Sequence, residues 1–172
     1  MKAKARPKTK ARKVEVKPPE VGAQAPDFTL PDPNLNMTSL SDFAGRKVVL
    51  AFFPAAMSPV CTREMCSFRD SFAELSEAGA QVVAVSIDGP FANKQFTEMH
   101  SLNFPVLSDY SRDAVKKYGV VMPDLLHVKG YKAAKRSVFV IDPTGLVKYK
   151  WVSDDPLIEP NYEEIKQAIR GT

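Results

Sequence analysis

Two cysteines, Cys61 and Cys66, stand with four residues between them, and Ser58 and Pro59 lie just upstream of the first. A cysteine of this kind serves as a metal ligand, as a redox-active nucleophile or as an inert core residue. A closed zinc site takes four Cys or His ligands. This chain has two Cys and two well-separated His, His100 and His127, so zinc is not expected. Ser58 is a suitable N-cap and Pro59 suits the first helical position. Cys61 then falls third in the helix, where unpaired backbone N–H groups and the positive end of the helix dipole favour an anion. The reading is an activated thiolate at a helix N-terminus.

The elements that would hold it are legible around it. Residues 47–53 (KVVLAFF) form a continuous β-branched and aromatic run, which predicts a strand buried on both faces and ended by Pro54. Val60, Phe68, Phe72 and Leu75 make a helical stripe over residues 59–79, closed by Gly79. Residues 81–86 read as the next buried strand and residues 90–100 as a helix opened by Pro90. Short strands are expected at 27–30, 37–40 and 104–107, a short helix at 112–118, and loop over 120–134. Residues 137–141 and 146–151 form a hairpin across the turn sequence DPTG, residues 142–145. A closing helix over 161–170 is capped by Asn161. Strands alternating with helices and ending in a hairpin predict an α/β fold, a central mixed sheet with helices on both faces.

The 172 residues suit one domain, with 44% hydrophobic and 26% charged residues as in ordinary soluble proteins. No apolar run reaches the roughly 18–20 residues of a membrane helix, and no secretory signal pattern is present. The expected location is the cytoplasm, where thiols stay reduced. The net charge of +4 is unevenly spread. Residues 1–20 hold eight basic and two acidic side chains, so the remaining 152 residues carry 16 basic and 18 acidic ones. The expected organisation is a basic, disordered arm over 1–20 and a single domain over 21–172. The arm reads either as a solubilising tail or as a contact for an anionic partner such as nucleic acid.

The spacing Pro54-x-x-x-Ser58-x-x-Cys61 resembles the active-site pattern of the peroxiredoxins, with Ser where Thr is more common. Residues 25–28 (APDF) resemble that family's opening strand, and residues 136–142 (RSVFVID) the strand bearing its active-site arginine. The resemblance implies a thioredoxin-like fold, no metal or organic cofactor, and reduction of hydroperoxides. It further implies that Pro54 shields the site, Ser58 binds peroxide, Cys61 attacks it and Arg136 stabilises thiolate and transition state. Backbone N–H groups of Val60 and Cys61 would add donors. Glu64, one helical turn after Cys61, would oppose the thiolate unless paired, and Arg136 is the expected partner.

Residues 61–70 (CTREMCSFRD) resemble the branch related to bacterioferritin comigratory protein, or peroxiredoxin Q. That likeness implies that Cys66 resolves a Cys61 sulfenic acid as an intramolecular disulfide, which a thioredoxin-like protein then reduces. On an intact helix, residues five apart are about 7.5 Å apart along the axis and rotated by roughly 140°. A disulfide needs Cα atoms within about 7 Å, so the helix must unwind first. The alternatives are a buried, inert Cys66 with an external resolving thiol, a thioredoxin-like disulfide exchanger, and a redox-responsive chaperone or nucleic-acid-tethered binding protein. The family's members are monomers, dimers or rings, and a homodimer is the expectation.

Overall fold

The computed structural model describes residues 16–172. The β-rich runs and helical stripes fold into strands β1 (Thr29–Pro31), β2 (Met37–Ser39), β3 (Lys47–Phe52), β4 (Ala80–Ser86), β5 (Val106–Ser108), β6 (Val121–Met122), β7 (Ala133–Ala134), β8 (Ser137–Ile141) and β9 (Val147–Val152). The helices are α1 (Pro59–Asp70), α2 (Phe72–Glu77), α3 (Pro90–Met99), α4 (Asp113–Lys117) and α5 (Tyr162–Arg170). Five strands form the central sheet in the order β5-β4-β3-β8-β9. β3, β4 and β5 run parallel, whereas β8 is antiparallel to β3 and β9 to β8. The mixed α/β sheet is the one expected.

Alternation along β3 divides the core. Val48, Leu50 and Phe52 pack on one face with Phe28, Tyr118 and Phe139. Val49 and Ala51 face the other side, with Cys61, Met65, Phe68, Phe96, Ile165 and Ile169. A strand buried on both faces is what the period of two requires when helices cover each side. α1, α3 and α5 supply one cover, while α4 and the chain around residues 25–30 supply the other.

Three local expectations are corrected. The helix foreseen over residues 59–79 is two helices, broken at Ser71, whose φ of −88° and ψ of 0° lie off the helical values. The apolar stripe continues through Phe68, Phe72 and Leu75 because both helices face the same core. The segment 120–134 is not plain loop: β6 and β7 pair antiparallel, Val121 with Ala134 and Met122 with Ala133. The strand near residues 104–107 begins two residues later, at Val106. The DPTG turn and the α5 cap stand as read. Asp142 Oδ1 accepts from Thr144 N at 2.8 Å and from Leu146 N at 3.0 Å, and Asn161 Oδ1 accepts from Glu163 N at 3.1 Å.

Of the basic arm expected to be disordered over 1–20, residues 1–15 lie outside the described residues. Residues 16–20 run along the domain. Gly119, at φ +62°, lies against the Val16 carbonyl so closely that a Cβ there would collide with it. Glu20 pairs with Lys150 at 2.6 Å.

Candidate active site

Pairing of β3 with β8 decides which distant residues meet. Phe52 is in register with Ser137, so Arg136 sits just past the end of the pair, level with the start of the loop that leaves β3. That loop, residues 54–58, carries the chain from the sheet into α1. Pro54 and Ala55 are buried. Met57 takes a left-handed φ of +66°, an uncommon conformation for a residue with a side chain. Ser58 stands at the N-cap of α1 with extended backbone, Pro59 opens the helix, and Cys61 is its third residue. The Ser58 hydroxyl makes no capping hydrogen bond.

Cys61 is fully buried, and so are Glu64 and Arg136. Arg136 organises the three. Its Nη2 donates to Cys61 Sγ at 3.3 Å, and its Nη1 donates to Glu64 Oε2 in a fully buried ion pair. The Pro156 carbonyl accepts from Arg136 Nη2 at 2.7 Å and from Nε at 3.3 Å. A guanidinium suits this position because its donors project in a fixed fork and its charge persists on burial. Burial acts to lower the Arg136 pKa, but Glu64 and Cys61 outweigh it and hold the group above its ordinary value. For Glu64 burial wins over the pull of Arg136 and raises the carboxyl to about 7. Its second oxygen, Oε1, is buried with no protein partner.

Four of the six sequence-identified residues are thus in one contact set or its immediate scaffold: Arg136 touches both Cys61 and Glu64, and Ser58 stands at the N-cap position of the same helix. Pro54 precedes them in the loop. Cys66 lies about one and a half turns further along α1 and is half-buried; both cysteines are free thiols. The helix between the two cysteines is unbroken.

Several contributors were not read from the sequence. Pro156 acts through its carbonyl, which no side-chain pattern reveals. Arg63 Nε pairs with Glu159 at 3.0 Å, and Tyr162 donates to the other oxygen of Glu159 at 2.7 Å. Together these fasten the first turns of α1 to the segment before α5. Tyr162 also meets Phe68 edge-on at 5.6 Å, and burial followed by its bond to Glu159 raises its pKa well above the ordinary value. Asp88, just beyond β4, accepts from the Ala56 amide at 2.8 Å. The cavities of about 260 and 330 Å³ elsewhere on the molecule are lined by none of these residues. The chemistry here lies at a buried sulfur beneath a loop, a site for a small reactant. Among the described residues no cluster of three or more His, Cys, Asp or Glu could hold a metal ion.

Comparison with known proteins agrees with this geometry. Residues 21–150 match the model of the AhpC/TSA family. A Coxiella burnetii protein bearing the peroxiredoxin Bcp name is 40% identical over 132 residues, spanning 77% of this chain and 87% of that protein. Peroxiredoxin Bcp of Escherichia coli K12 is 37% identical over 138 residues, 80% of this chain and 87% of its own. The crystal structure of peroxidoxin BcpB from Mycobacterium tuberculosis superposes with a TM-score of 0.77 at 32% identity, covering 89% of this chain and 97% of that one. With an arginine-paired cysteine at a helix N-terminus on a thioredoxin-like sheet, the chain belongs to the AhpC/TSA family, in the branch of Bcp and peroxiredoxin Q, and is a thiol-dependent peroxidase.

Proposed function

We propose that Cys61 is the peroxidatic nucleophile and that the residues around it divide the work as follows. The Cys61 thiolate attacks one oxygen of a hydroperoxide, the S–O bond forms as the O–O bond breaks, and the departing alkoxide or hydroxide takes a proton to leave as an alcohol or water. Arg136 stabilises the thiolate and the charge that develops on the departing oxygen. The Ser58 hydroxyl and the Val60 and Cys61 N–H groups hold the peroxide in line. Glu64 orients Arg136, and Pro54 shields the sulfur from water. The Cys66 thiolate then displaces hydroxide from the sulfenic acid, which leaves as water once protonated, and a dithiol protein of the thioredoxin kind reduces the resulting disulfide.

The observation that carries this reading is the 3.3 Å contact between Arg136 Nη2 and a Cys61 Sγ buried in the first turn of α1. The unbroken helix between Cys61 and Cys66 favours a second reading of the later step, in which an external thiol resolves Cys61. Consumption of hydrogen peroxide by the purified chain with thioredoxin as reductant tests the assignment. Turnover abolished in Cys61→Ser supports it, and turnover retained in that variant overturns it.

The proposal also places the enzyme in the cytoplasm as a homodimer. Among the described residues no helix is long and apolar enough to cross a membrane. The net charge of +6 on residues 1–20 supports contact between the arm and a polyanion. Deleting those residues removes salt-sensitive DNA binding if this holds, and unchanged binding contradicts it.

A further inference from the structure

The loop that carries Ser58 is tied by a carboxylate to the segment that follows β4. Asp88 Oδ2 accepts from the Ala56 amide at 2.8 Å. Asp88 is in turn held from two sides. Its amide donates to Ser86 Oγ at 3.2 Å, and its carbonyl accepts from Ser108 Oγ. Ser86 Oγ donates to Asn93 Oδ1 at 3.0 Å, and Asn93 Nδ2 donates to the Leu107 carbonyl at 3.3 Å. Ser86, Asn93 and Ser108 are fully buried. Three elements, β4, β5 and α3, thus converge to fix the backbone of the half-buried Asp88. Buried polar groups are costly unless satisfied, and a satisfied network holds its members rigidly.

The tether grips the loop next to its strained point. Ala56 precedes Met57, whose φ is +66°, and Met57 precedes Ser58. A left-handed φ at a non-glycine residue persists only where its surroundings over-determine it. On one side Ala55 packs with Met122, Leu125 and Ala133. On the other the Ala56 amide is held by Asp88. Neither Asp88 nor its network touches Cys61, Glu64 or Arg136 in any hydrogen bond among the described residues.

Resting on the peroxidase reading above, we infer that Asp88 is a positioning residue for peroxide: through the Ala56 amide it fixes residues 54–58 so that the Ser58 hydroxyl meets the bound oxygen. Displacement of a positioning group by about 1 Å can cost up to about a hundredfold in rate. Thiolate reactivity toward a reagent that needs no such positioning depends on Arg136 and the helix N-terminus, which Asp88 leaves alone.

Stopped-flow oxidation of reduced protein by hydrogen peroxide, set beside alkylation of Cys61 by iodoacetamide, separates the two. Cys66→Ser serves as background so that one thiol reports. Asp88→Ala slows oxidation by roughly 10–100-fold while alkylation stays within about twofold of the parent. Asp88→Asn, whose amide oxygen still accepts from Ala56, restores oxidation to within about threefold. Oxidation of Asp88→Ala at the parent rate overturns the inference. Equal slowing of oxidation and alkylation, or an Asp88→Asn variant as slow as Asp88→Ala, overturns it as well. If Asp88→Ala does not fold, Ser108→Ala, which frees the Asp88 carbonyl, is read by the same ratio: selective slowing of oxidation supports the inference and an unchanged ratio overturns it. A parent whose Cys61 is alkylated but not oxidised sinks the peroxidase assignment itself, and the inference with it.

Discussion

Arg136 reaches Cys61 across 75 positions of sequence, its Nη2 lying 3.3 Å from the sulfur, while Nη1 of the same guanidinium is engaged by Glu64 three residues further along the cysteine's helix. One cation therefore serves a carboxylate and a sulfur on the same face of α1. The Pro156 carbonyl fixes the fork from behind. The contact set joins the residue just before β8 to the first turns of α1.

On the proposed mechanism, replacing Arg136 removes charge stabilisation at the reacting sulfur. Arg136→Met lowers the second-order rate of Cys61 oxidation by about 10²–10³-fold, the range seen when one preorganised donor is lost. Arg136→Lys keeps the charge, loses the fork and falls between the two. Removing one member of a buried ion pair costs about 3 kcal/mol or more, with Glu64 relieving part of that by taking up a proton. Stopped-flow oxidation and urea unfolding measure the two effects separately.

Burial raises the Glu64 carboxyl to about 7, against about 4.5 in an exposed chain. The folded state then binds this proton more tightly than the unfolded state does. Its contribution to stability is fully present below about pH 4.5 and is lost as the pH rises through 7. Glu64→Gln mimics the protonated form at every pH. The parent therefore loses stability relative to the variant as the pH rises from 5 to 8, whatever the offset between them at pH 5. Urea melts at the two pH values check this, and a parent that gains on the variant at pH 8 contradicts the sign.

Disulfide formation between Cys61 and Cys66 cannot occur on the helix as it stands. Both belong to α1, Pro59–Asp70, with about 7.5 Å of rise between them. Oxidised protein loses amide-exchange protection within α1, whereas β3 and β4 keep theirs. Cys66→Ser treated with the same peroxide keeps its α1 protection, because no bond pulls the helix apart. Hydrogen–deuterium exchange resolved by peptide reads both.

Much of the site was legible because its parts are local. Ser58, Pro59, Cys61 and Glu64 fall within seven residues, and cap, first turn and i,i+3 spacing follow from helix geometry alone. Arg136 entered through family likeness, since only the Phe52–Ser137 register brings it to the sulfur. Pro156 was invisible because it contributes a carbonyl, and Asp88 because its partner is a backbone amide. In the fold, the strands at 47–53 and 81–86 were plain from unbroken apolar runs. The break at Ser71 was not, because the stripe through Phe68, Phe72 and Leu75 stays on one face across it. β7 consists of two alanines, which have no strand preference of their own, and pairing with β6 decides their conformation.

The most direct test of the account is the product of one turnover. Fully reduced protein receives one equivalent of hydrogen peroxide, free thiols are blocked, and intact mass and tryptic peptides are recorded. The account predicts loss of two hydrogens with Cys61 and Cys66 linked within one chain. A single added oxygen on Cys61 with Cys66 still free would keep the nucleophile and contradict intramolecular resolution, and an unmodified Cys61 would contradict the account at its centre.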